Sequence, residues 1–109
     1  MSGYVFRKLI IQERGLRTIL EHPTLSDGAK AFYSYLYTLP SGYYLHNEEF
    51  VERGVCTSVQ MVNKFKRELK ALRVYFENKD RASNIKFAYL GSIDFNAELF
   101  AKQWEREEI

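Results

Sequence analysis

The chain has 109 residues, 46% hydrophobic and 16% aromatic, with a single cysteine and a formal net charge of +2. That length suits one domain, and the apolar content argues against a disordered chain. No apolar run approaches membrane-spanning length, and one cysteine allows neither an internal disulfide nor a multi-cysteine metal site. The N-terminus, MSGYVFRKLIIQERG, lacks the apolar core and cleavage site of a signal peptide, so the expectation is a cytoplasmic protein.

The charge is unevenly placed. Residues 1–56 hold six basic and six acidic residues. Residues 57–86 hold eight basic against three acidic, a net +5, and residues 87–109 hold two against five, a net −3. A basic segment concentrated in one third of a chain points to an anionic partner, of which nucleic acid is the commonest.

In chain order, YVFRKLII at 4–11 reads as a strand or extended arm. ERGLRTILEH follows as a short helix that His22-Pro23 ends. Ser26 is placed to cap a core helix over residues 27–39, whose Ala29, Phe32, Tyr33, Leu36 and Leu39 share one face. Pro40-Ser41-Gly42 stops it, and Tyr43, Tyr44 and Leu45 suit a short strand. Asn47 is expected to cap a short helix, EEFVERG, with Gly54 as its left-handed stop. Thr57 or Ser58 then caps a helix running to Leu72 or Arg73, with Val59, Val62, Phe65, Leu69 and Leu72 as its buried stripe. VYFEN and IKFAYLG flank the polar KDRAS and predict a hairpin with a basic tip. Asp94 can cap a last helix over about 95–108, with Phe95, Leu99, Phe100 and Trp104 on one side.

A short helix stopped by glycine, then a capped helix with a polar outer stripe, is the helix-turn-helix layout, and a hairpin directly after it makes a wing. The residues carry a family likeness as well. TLSDGAKAFYSYLYTL and EEFVERGVCTSVQMVNKFKRELKALRVYF resemble the first helix and the helix-turn-helix of winged-helix domains in phage and plasmid replication initiators and replisome organisers. The likeness covers roughly residues 15–90. It departs at Arg73, where the family usually has glycine, and in the turn, where Val55, Cys56 and Thr57 intervene before Ser58. The expected fold is therefore α+β: a winged helix-turn-helix with a three-helix core, an N-terminal arm, a C-terminal hairpin wing and an extra C-terminal helix in one domain. The resemblance implies binding of double-stranded DNA in replication initiation or transcription regulation.

The candidate residues follow from that layout. Gln60, Asn63, Lys64 and Arg67 recur at helical spacing near a helix start, where Arg and Lys can reach guanine and Asn or Gln can pair with adenine. Thr57, Ser58 and Lys70 can hold phosphates, as can Lys79, Arg81 and Lys86 on the wing. The competing reading is the polar outside of an ordinary helix and a solvated turn. Phe95, Leu99, Phe100 and Trp104 suit either packing on the N-terminal arm or a homodimer or partner surface. A second function stays open on these aromatics: a winged-helix adaptor or inhibitor that docks on a replication or host protein without touching nucleic acid. A positive face broken by Glu68 and Asp80 would favour it. Tyr33, Tyr35 and Tyr37 read as packing, because no basic residues interleave them. His22, His46 and Cys56 form no catalytic motif, so neither an enzyme nor a cofactor or metal is expected. The helix start beside Cys56 predicts a somewhat lowered thiol pKa.

Overall fold

Apolar periodicity and local capping account for most of the elements in the computed structural model, which describes residues 3–9 and 13–93. These form an α+β fold of four helices and a four-stranded mixed sheet. Strand β1 is Gly3–Lys8, helix α1 Glu13–Leu20, helix α2 Asp27–Thr38, and strand β2 Tyr44–His46. Helix α3 is Asn47–Glu52, helix α4 Val59–Ala71, and strands β3 Tyr75–Lys79 and β4 Lys86–Leu90 make a hairpin. The proposed C-terminal helix, with Phe95, Leu99, Phe100 and Trp104, lies outside the described residues.

The sheet order is β2-β1-β4-β3, with β1 antiparallel to β2 and parallel to β4. So β1 is not a loose arm. It is an interior strand, and it stands between β2 and the hairpin. Alternation sends Tyr4 and Phe6 inward with Leu45, Tyr75, Ala88 and Leu90, against the helices. The opposite face carries a smaller cluster of Leu9, Phe76, Phe87 and Tyr89.

Ser26 caps α2, its Oγ accepting from the Ala29 N–H at 3.2 Å. The predicted inner face, Ala29, Phe32, Tyr33, Leu36 and Leu39, is buried throughout. Phe32 packs on Phe50 of α3 and Phe65 of α4, which places one helix at the centre of the core. Gly28 allows the close approach, since a Cβ there would overlap the Phe65 ring. The tyrosines of α2 serve structure. Tyr33 donates to the Gly91 carbonyl at 2.6 Å inside the core. Tyr35 donates to Glu49 at 2.7 Å, and burial together with that bond pushes its phenol up to about 12.

Two helices end in the same hydrogen-bond motif. At the end of α3, the Gly54 and Val55 N–H groups donate to the Val51 and Phe50 carbonyls. At the end of α4, the Arg73 and Val74 N–H groups donate to the Lys70 and Leu69 carbonyls. Both are Schellman caps, and both put their pivot residue in the left-handed region, Gly54 at φ 76° and Arg73 at φ 60°. The position where the resembled family has glycine is thus one whose backbone favours glycine.

Three local expectations need correction. Asn47 does not cap α3. His46 is the cap residue and makes no side-chain cap bond, while the Asn47 amide oxygen accepts from Lys66 instead. Val59 is exposed and Leu72 half-buried, so the buried arc of α4 is Val62, Phe65, Lys66 and Leu69. Cys56 is buried, and burial pushes its thiol pKa up rather than down.

Candidate nucleic-acid interface

Helix α4 begins at a cap of its own: Ser58 Oγ accepts from the Met61 N–H at 3.3 Å. The stretched turn before it is closed by the Val55 and Cys56 N–H groups, which share the Phe50 carbonyl. From that start the 3.6-residue repeat turns Val62, Phe65 and Leu69 inward and leaves Gln60, Asn63, Lys64 and Arg67 exposed on one face. Gln60 to Arg67 spans about 10 Å of helix axis, roughly three base-pair steps of B-DNA. Thr57 is exposed beside the helix start, and Ser58, half-buried, already spends its oxygen on the cap.

Two acidic residues near this face have hydrogen-bond partners within the fold. Glu68 accepts from the Ser26 N–H at 2.9 Å and from Ser26 Oγ at 2.7 Å, which ties α4 to the start of α2. Asp80 is held in its own turn, where its Oδ2 accepts from the Ser83 hydroxyl and N–H. Those Ser83 bonds hold the Asp80 carboxyl below its usual pKa. The turn closes when Asp80 N–H donates to the Ile85 carbonyl at 2.8 Å, with Asn84 at φ 60°.

Between α4 and the hairpin lies a network absent from the sequence reading. Lys66 is 5% exposed, yet it carries an ammonium. Its Nζ donates to Asn47 Oδ1 and to Glu77 Oε2, each at 2.7 Å. It also sits 4.9 Å from the Tyr4 ring centre and 5.8 Å from that of Tyr75. Glu77 accepts twice more, from Lys70 Nζ at 2.9 Å and from the Tyr75 hydroxyl at 2.6 Å. Burial lowers the Lys66 pKa, and Glu77 opposes that shift. For Glu77, burial acts to raise the pKa, but Lys66, Tyr75 and Lys70 together outweigh it and leave the carboxyl below its ordinary value. Spacing carried a signal for Lys66 that the sequence reading did not use, since Val62, Phe65, Lys66 and Leu69 fall at i, i+3, i+4 and i+7. Its partner on β3 had no local signal.

The wing residues are joined to α4 through this network. Glu77 and Lys79 lie two apart on β3 and share the sheet face turned to α4. Lys86 stands opposite Lys79 on β4, half-buried, with its Nζ 5.8 Å from the Tyr4 ring centre. Lys79 and Arg81 are exposed. Lys70, 44% exposed, already serves Glu77, so its charge is partly spent. Among the described residues of α4 and the hairpin, the exposed cations without an ion-pair partner are therefore Lys64, Arg67, Lys79 and Arg81. Helix α3 is different: Glu48, Glu49, Glu52, His46 and Arg53 line an open hollow of about 420 Å³.

No family model, curated protein or solved structure matches this chain. Among the described residues no group of three or more His, Cys, Asp and Glu is placed to hold a metal ion. No described helix is long and apolar enough to cross a membrane.

Proposed function

We propose that the chain is a winged helix-turn-helix domain that binds double-stranded DNA, with α4 in the major groove and the β3–β4 hairpin as the wing. The observation that carries this reading is the face of α4: Gln60, Asn63, Lys64 and Arg67 all point outward, while Glu68 beside them is turned in to Ser26. These are the side chains that read adenine and guanine edges in the major groove. Lys79 and Arg81 then contact phosphates from the wing, with Lys86 and Lys70 adding weaker contributions because each already has a partner. The setting implied by the family likeness is replication initiation or transcription regulation in the cytoplasm of a host for phages or plasmids.

The adaptor reading, which rests on the aromatics after Asp94, would be favoured by a positive face broken by Glu68 and Asp80. Glu68 is tied to Ser26 of α2, whereas Asp80 keeps its charge in the hairpin turn, so the adaptor stands as the second reading. Fluorescence anisotropy with a random-sequence duplex across a salt series tests the proposal. Affinity should fall steeply with salt, with about 0.9 of log–log slope for each phosphate held. Lys64→Ala/Arg67→Ala should bind at least tenfold more weakly while remaining folded. No binding by the folded wild type at low salt would overturn the reading.

A further inference from the structure

Among the described residues Lys66 is the one buried lysine, and nothing in a base- or phosphate-contacting role explains it. Its four partners come from three elements: Asn47 on α3, Glu77 and Tyr75 on β3, and Tyr4 on β1. Hydrophobic contacts already seat the other side of α4 against Phe32 and Gly28. On the sheet side, the polar pair takes over as the direct tie between α4 and β3, with Lys70 as a second strut to the same carboxylate. A buried, hydrogen-bonded pair of this kind has directional preferences that apolar contacts lack. Removing one partner leaves the other charge poorly compensated, so the arrangement holds one geometry firmly.

We propose that Lys66 and Glu77 are positioning residues for the nucleic-acid interface: they fix the angle between α4 and the hairpin, so that helix and wing meet one duplex together. This rests on the DNA-binding reading for its purpose but not for its geometry. Neither side chain touches DNA in this arrangement. Lys66 acts at a distance by keeping Lys79 and Arg81 in register with Lys64 and Arg67.

The test is a double-mutant cycle read by salt dependence. Lys66→Met removes the ammonium and keeps the bulk, and the Tyr75 hydroxyl on the same strand still donates to Glu77. Lys79→Ala/Arg81→Ala removes the exposed wing cations. In the folded Lys66→Met protein the salt slope should fall by about 1.8, as if both wing phosphates had been given up, although no exposed charge has changed. Adding Lys79→Ala/Arg81→Ala to Lys66→Met should then cost less than twofold in affinity. Glu77→Gln should move slope and affinity in the same direction by a smaller amount. A merely structural role would leave the slope at its wild-type value once the folded fraction is accounted for, and would make the two sets of substitutions additive. Either result overturns the proposal. Should the wild type not bind duplex, the DNA reading fails on its own, and the latch is judged by nuclear Overhauser contacts between Lys70 and Glu77. Their survival unchanged in Lys66→Met would overturn it, and their loss with α4 and the hairpin each intact would support it.

Discussion

Arg73 gives the sharpest stability prediction. It occupies the pivot of the Schellman cap at the end of α4, at φ 60°, with its N–H donated to Lys70 and the next N–H to Leu69. An L-residue in that region costs about 1–2 kcal/mol relative to glycine, because its Cβ crowds the following carbonyl. Glycine returns part of this through a more mobile unfolded chain, about 0.5–1 kcal/mol. The exposed side chain forms no ion pair among the described residues, so the balance favours glycine. Arg73→Gly should therefore stabilise the protein by about 0.5–1 kcal/mol, a rise of roughly 2–6 °C in Tm for a chain of this size. Gly54 is the internal control: it holds the same position in the cap of α3, and Gly54→Ala should destabilise by about 1 kcal/mol. Urea and thermal denaturation followed by circular dichroism read both. A fall in Tm for Arg73→Gly would refute the reasoning, because it would mean that the arginine side chain offsets its backbone strain.

Gly28→Ala should lower stability by about 1–3 kcal/mol, since the added methyl overlaps the buried Phe65 ring. Helix propensity alone predicts the opposite sign, so an urea midpoint that rises would contradict the packing argument. Glu68→Ala removes both acceptors that serve Ser26 and should lose about 2–4 kcal/mol in the same assay; a loss below about 0.5 kcal/mol, typical of an ordinary surface site, would show that the tie is dispensable. Glu77 gives a pH prediction. Its folded pKa lies below the ordinary 4.5, so its stabilisation is full above that value and is lost as pH falls through the folded value. The acid-side decline in the urea midpoint should be shallower for Glu77→Gln, and an unchanged acid profile would refute the assignment.

Much of the helical framework was legible because it is written in local signals. Ser26 and Ser58 stand three residues before the N–H groups they cap, Gly54 stands where a helix must turn left-handed, and the α2 face repeats at 3.6 residues. The hairpin was legible for the same reason, from two β-rich runs around a polar turn. What escaped was set by distant pairings. The parallel register of Val5 with Phe87 places β1 inside the sheet, and nothing near residue 5 announces a partner eighty residues on. Asn47 looked like a cap because its own sequence neighbourhood suits one, but Lys66, nineteen residues later, claims its oxygen. The Cys56 thiol was judged from its nearness to a helix start, and desolvation in the core outweighs that dipole. In the candidate interface the outward face of α4 was readable from spacing, whereas the ties of Glu68 to Ser26 and of Glu77 to Lys66 join different elements and left no local signal.

The central claim is that the outer face of α4 and the wing meet DNA together. Amide chemical-shift mapping during titration with a random-sequence duplex at low salt tests this most directly. The account predicts shifts concentrated at Gln60, Asn63, Lys64 and Arg67 and at Lys79 and Arg81, with the acidic α3 residues Glu48 and Glu52 little affected. Absence of shifts, or shifts centred on α3 and the outer sheet face around Phe76 and Phe87, would contradict it.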